Sequence, residues 1–205
     1  MPLEKKYSLM LTGGRAAKNI YQKMAQSEDL IRKITRADLY QTDERCVNPL
    51  HNESNFSMIV SSLLSNQHPS DYAFYRMKAE SSDLYEASMI YSESIPDSLD
   101  VLLLSMGEDG HIASLFPNSP ALFETERKVL PVVGSKWPIK RLTITPPVIK
   151  AAKHVYVLAI GDEKRRKYEE ALVEPEDISS LPARLVLDRT WIFDLNEEID
   201  LCPKR

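Results

Sequence analysis

The sequence predicts an α/β protein built on an open, mostly parallel sheet flanked by helices. Three observations point there. Short apolar runs alternate along the chain with segments of helical apolar spacing. The run His154-Val-Tyr-Val-Leu-Ala-Ile160 is almost continuously apolar, as in a parallel strand buried on both faces. Several such runs end at glycine or charged residues just before or within a turn, where sheets of this class hold their ligands.

Residues 7–12 read as a strand that runs into Gly13-Gly14. Residues 15–26 follow as a helix, with Ala16, Ile20 and Met24 on one face. Residues 38–41 form a short strand, and residues 42–55 a polar loop. Residues 56–64 read as a helix, and residues 71–88 as another, with Asp71 as its cap. A strand at 100–104 leads into the segment richest in chemistry. Residues 129–133 are a strand whose Pro131 marks an edge or an irregularity. Residues 141–145 alternate with the period of a strand. Pro146-Pro147 fits the first turn of a short helix that ends near Ala152. After the apolar run at 154–160, Gly161-Asp162 opens a helix over 163–172, residues 174–180 form a polar loop, and a last strand spans 190–194. No repeat or low-complexity segment interrupts the 205 residues, which suit a single catalytic domain, 1–205.

Composition excludes several classes. A net charge of -4 argues against general nucleic-acid binding, which requires a basic face. No apolar run approaches the ~18 residues needed to span a bilayer, and the apolar part after the charged N-terminus is too short for a signal peptide. Cys46 and Cys202 lie far apart and make no C-x-x-C, so neither a disulfide framework nor a zinc ribbon is expected, and a cytoplasmic location fits. The six glycines form no G-x-G-x-x-G, no P-loop and no G-x-S-x-G, and the four histidines lack metal-ligand spacing. No metal site is expected.

The chemistry concentrates where the strand at 100–104 ends. Asp109 and His111 flank Gly110 in a glycine-containing turn, where an α/β enzyme places a general base. His111 is the candidate base and Asp109 its orienting partner; the competing reading of Asp109 is a turn residue that caps backbone amides. Gly13-Gly14, before a helix, is a candidate anion cradle, and Arg15 adds charge. Asp43-Glu44-Arg45 lies at another strand end with Asn55 nearby, and Arg45 has the geometry to grip a phosphate or carboxylate. Lys164, in the first turn of a helix, opposes the macrodipole unless an anion shares the site. Arg141 opens a strand, and by itself reads as a surface charge.

Together these residues resemble the 6-phosphogluconolactonase family. The likeness runs in order through Thr12-Gly-Gly14, Asp43-Glu-Arg45 with Ser54-Asn55, Met106-Gly-Glu-Asp-Gly-His-Ile-Ala-Ser-Leu-Phe-Pro117, Arg141-Leu-Thr-Ile-Thr145, Gly161 with Lys164, and Leu181-Pro-Ala-Arg184. The long central motif is the specific one. The resemblance implies a modified Rossmann-like fold shared with sugar-phosphate isomerases and deaminases, and no cofactor. It implies a phosphorylated sugar lactone as substrate, opened by water. His111 and Asp109 would be catalytic. Gly13, Gly14, Arg15, Asp43, Arg45, Asn55, Gly110, Arg141 and Lys164 would bind substrate. Arg15 stands where the family's glycine loop usually has Ser or Thr. The first strand begins about six residues into the chain, so a compact or truncated N-terminal end is expected. Two rivals remain: a glucosamine-6-phosphate deaminase or isomerase, whose catalytic glutamate would fall at Phe116, and a sugar-phosphate-binding regulator without turnover.

Overall fold

A computed structural model describes residues 6–194. Six strands form one wholly parallel sheet: β1 (Ser8–Leu11), β2 (Asp38–Gln41), β4 (Ala73–Tyr75), β5 (Val101–Ser105), β8 (His154–Leu158) and β9 (Thr190–Ile192), in the order β4-β2-β1-β5-β8-β9. Side chains alternate between two cores. Met10, Leu102, Leu104, Val155 and Val157 enter one, while Leu9, Leu11, Leu39 and Leu158 enter the other. Both faces are thus covered, which is why these strands carry near-continuous apolar runs.

The expected parallel sheet is accompanied by a second one. β3 (Asp43–Arg45), β6 (Val129–Val133) and β7 (Lys140–Ile144) form a separate antiparallel sheet in the order β3-β7-β6. β3 falls inside the segment read as a polar loop. Its charged side chains hide a strand that is fixed by pairing with Arg141, Leu142 and Thr143 rather than by apolar periodicity.

The helices are α1 (Arg15–Met24), α2 (Glu28–Thr35), α3 (Asn55–Leu63), α4 (Leu84–Ser94), α5 (Pro146–Ala151) and α6 (Asp162–Ala171). Helix α2 was not anticipated, although its signals are ordinary: Ser27 caps Leu30, Glu28 and Asp29 sit in the first turn, and Ile31 and Ile34 are buried. The expected helix over 71–88 is also wrong. Asp71 ends a 3₁₀ turn, Pro69–Asp71, and Tyr75 stacks on Tyr40 of the neighbouring strand with ring centroids 5.0 Å apart. The helix starts only at Leu84, where Asp83 accepts hydrogen bonds from the amides of Tyr85 (2.9 Å) and Glu86 (3.0 Å). Two capping aspartates twelve residues apart, Asp71 and Asp83, compete for one helix start in the sequence, and the second wins.

Asp100 joins three parts of the sheet. It accepts hydrogen bonds from the Ser8 amide (2.9 Å), the Ser8 hydroxyl (3.1 Å) and Lys153 Nζ (2.6 Å). Lys153 chiefly, then the Ser8 amide, hold its carboxyl down at about 2. Its stabilising effect is therefore present above the ordinary aspartate value and is lost as pH falls through about 2. Asp100→Asn is expected to cost about 1 kcal/mol at neutral pH once solvent screening is discounted, with the gap to wild type closing near pH 2. Urea unfolding at the two pH values measures this; an equal gap at both would exclude the ionic contribution.

Cys46 is a half-buried free thiol, pushed up to about 11 chiefly by burial, and Cys202 lies outside the described residues. Among the described residues, no helix is long and apolar enough to cross a membrane.

Candidate active site

A cleft of about 760 Å³ opens beyond the carboxyl ends of β1, β5 and β8. Gly13, Gly14 and Arg15 follow β1, Gly107 to His111 follow β5, and Gly161 to Lys164 follow β8. The antiparallel sheet closes the other side with Asp43, Arg45 and Arg141. Gly13, Gly14, Arg15, Asp43, Arg45, Asn55, His111, Arg141 and Lys164 therefore all line one cavity. Asp109 and Gly110 do not. Asp109 stands behind His111, and Gly110 is buried against Leu181 rather than facing the cleft.

The turn after β5 is built to hold one imidazole. The Gly107 amide donates to the His111 carbonyl (2.9 Å), and the Gly110 amide to the Gly107 carbonyl (3.1 Å). Gly110 has φ +80, a conformation that favours glycine, and its carbonyl receives the Ala183 amide at 2.9 Å. Leu181-Pro-Ala-Arg184 thus acts as a buttress for the turn. Asp109 Oδ1 accepts from both the Nδ1 and the backbone amide of His111. Half-burial pushes the Asp109 carboxyl up, but the imidazole and amide of His111 outweigh it and hold the group at about 2. Asp109 is therefore an ionised acceptor. Nδ1 therefore donates, and Nε2, which holds the lone pair in the neutral ring, has no hydrogen-bond partner among the described residues. The His111 side chain is 26% exposed, so solvent reaches the ring.

Packing holds the imidazole as firmly as hydrogen bonding does. A Cβ at Gly107 would lie 2.1 Å from His111 Cε1. The Phe116 ring packs on the imidazole at a centroid distance of 4.9 Å, and the Arg141 guanidinium lies 5.4 Å from the Phe116 ring centre. Gly107→Ala is therefore expected to displace the ring and cut kcat by about 10²-fold, because a misplacement of about 1 Å has that effect. A turnover assay on the folded variant measures it; near-normal turnover would mean that the ring's position is not critical.

Of the three charged residues of β3, Glu44 is the structural one. Its buried carboxylate accepts from Gln41 Nε2 (2.8 Å), Ser54 Oγ (3.1 Å) and the amides of Arg45 (2.8 Å), Asn55 (2.7 Å) and Phe56 (2.8 Å). Burial pushes this carboxyl up, and the donors offset only part of the rise. It caps α3 and ties that helix to β3. Asp43, buried at the cleft wall, accepts from Thr42 Oγ1 (2.9 Å) and Ser114 Oγ (2.8 Å). Asn55 donates to the Asp43 carbonyl (2.9 Å) and packs so closely on Gly13 that a Cβ there would lie 2.0 Å from its Oδ1. Arg45 donates to the Glu53 carbonyl at 2.6 Å, and Arg141 to the Pro138 carbonyl at 3.1 Å. Both guanidiniums are anchored, and burial pushes that of Arg141 below its usual value.

Two helix N-termini also meet the cleft. Gly14 (φ +100) and Gly161 (φ +104) start α1 and α6, and neither helix has a side chain capping its first amides. Arg15 and Lys164 stand in these first turns, and burial pushes the Lys164 ammonium down. The structure adds two residues that the sequence reading passed over. Lys136 comes from the loop between β6 and β7, and its Nζ pairs with Glu108 Oε2 at 3.1 Å. Neither carries a periodic or spacing signal; only the position of Glu108 between two glycines could have marked it. Among the described residues, no three His, Cys, Asp or Glu side chains gather as a metal site.

A histidine held by a carboxylate and several cations lining one cleft are the equipment of an enzyme that acts on small anionic molecules. The chain belongs to the family described as glucosamine-6-phosphate isomerases/6-phosphogluconolactonase, which it matches over residues 3–193. Its relatives within that family include 6-phosphogluconolactonases. It is 35% identical to the 6-phosphogluconolactonase of Streptomyces coelicolor, over 91% of this chain and 79% of that one. It is 32% identical to the probable 6-phosphogluconolactonase 1 of Arabidopsis thaliana, over 88% of this chain and 74% of that one. Among solved structures, the 6-phosphogluconolactonase of Shewanella baltica superposes with a TM-score of 0.79 at 27% identity, covering 92% of this chain and 82% of that one.

Proposed function

We propose that this protein hydrolyses 6-phospho-D-glucono-1,5-lactone to 6-phospho-D-gluconate, as a step of the oxidative pentose phosphate pathway, with His111 as general base. The carrying observation is His111 lining the cleft with Asp109 paired behind it. Nε2 takes a proton from water as the water oxygen attacks the lactone carbonyl carbon. The tetrahedral intermediate collapses with cleavage of the bond to the ring oxygen, and the imidazolium returns the proton to that oxygen. Asp109 stabilises the charged ring in between and stays ionised. Arg45 and Arg141 face the oxyanion and the sugar hydroxyls, and the first amides of α1 and α6 with Arg15, Lys136 and Lys164 take the phosphate.

Phe116 favours this reading over an isomerase or deaminase. An aldose–ketose conversion needs a second proton carrier near the base, and the group packed on His111 is a phenyl ring. The test is the rate of lactone opening with purified protein, corrected for spontaneous hydrolysis, beside an assay for glucosamine-6-phosphate deamination. Acceleration of the first alone is expected. Tight binding of 6-phosphogluconate without acceleration would identify a regulator instead.

A further inference from the structure

The phosphate end of the cleft already contains an anion of its own. Glu108 lines the cleft, one residue before Asp109, with its Oε2 3.1 Å from Lys136 Nζ. Lys136 chiefly, then the charges of Arg15 and Lys164, hold the Glu108 carboxyl below the usual glutamate range. The relation is mutual: burial pushes the Lys164 ammonium down, the Glu108 charge offsets part of that, and Arg15 adds to it. The Glu108 carboxylate therefore stands among three cations, in a cleft that Asp162 and Glu163 of the first turn of α6 also line, beside helix ends whose first amides have no side-chain cap. Glu108 takes no part in the His111–Asp109 hydrogen bonds.

We propose that Glu108 is an internal stand-in for the substrate's phosphate, engaging Lys136 and its neighbours in the empty cleft and yielding them when a phosphate enters. Glu108 then sets how tightly the site holds its ligand. It lowers the cost of crowding cations in the empty enzyme, and it weakens binding by competing for them. This rests on the phosphate end assigned under the proposed function. A rival role makes the opposite forecast: if Glu108 only holds Lys136 in place for the substrate, its loss weakens binding.

The test is calorimetric titration of the wild type, Glu108→Gln and Lys136→Gln with inorganic phosphate and with 6-phosphogluconate, at low and at high ionic strength. Glu108→Gln is expected to lower Kd for both by about 3–10-fold at low ionic strength, with the gain shrinking at high ionic strength as screening sets in. Lys136→Gln is expected to raise both values, and KM for the lactone should follow in each variant. An unchanged or raised Kd in Glu108→Gln, with its thermal melt preserved, overturns the stand-in role while leaving the lactonase reading intact. A wild type that binds neither probe and opens no lactone overturns both.

Discussion

Replacing His111 with alanine is expected to lower kcat/KM for the lactone by ~10²–10⁴, the range that one positioned general base supplies. The ring is partly exposed and packs chiefly on Phe116 and Gly107, so the variant should stay folded. Asp109→Asn should also lose rate, because an amide cannot stabilise an imidazolium as a carboxylate does. The partner's titration gives a second check. Burial pushes the Asp109 carboxyl up, but His111 holds it at about 2, so it is ionised throughout the neutral range. Its replacement should therefore change the rate without removing a carboxylate inflection between about pH 5 and 9. Initial-rate profiles of the three proteins, with circular dichroism to confirm folding, measure all of this. Near-normal turnover in a folded His111→Ala would refute the assignment of the base.

The largest effect on stability is expected from Glu44→Gln. Five donors converge on this one carboxylate, and glutamine offers them a single oxygen and an NH2 that faces other donors. Each buried donor left without an acceptor costs about 1–3 kcal/mol, so a loss of roughly 3 kcal/mol or more is expected. The upward push on the carboxyl shows that the charge is costly to bury; what the variant loses is the pairing of its neighbours. Chemical denaturation measures the difference. A loss below about 1 kcal/mol would mean that water replaces the missing acceptor.

What was legible in the sequence divides along physical lines. Apolar strands declared themselves by composition, so β2 and β6 agree with their expected bounds and β1, β5 and β8 are nearly so. The Asp109-Gly-His111 turn was legible because its residue types are rare outside special conformations. In the antiparallel sheet β6 and β7 were legible but β3 was not, because β3 owes its strand form to a partner almost one hundred residues away. The three charges Asp43, Glu44 and Arg45 looked equivalent along the chain. Only three-dimensional packing separates a cleft wall, a helix cap and an anchored guanidinium. Lys136 reaches the cleft from a loop without any regular pattern, and Glu108 is one charge among several in its motif, so neither stands out along the chain.

The strand order also governs how the chain comes together during synthesis. β1 lies between β2 and β5, and Leu9 meets Val101 across the sheet. A nascent chain emerging amino end first can pair β1 with β2 early, yet its other edge stays bare until β5 has been made. The helix start that completes the cleft at Gly161 emerges later still. The cleft is therefore complete only once α6 has been made, and before β5 arrives the exposed flank of β1 is where a chaperone would have most to shield.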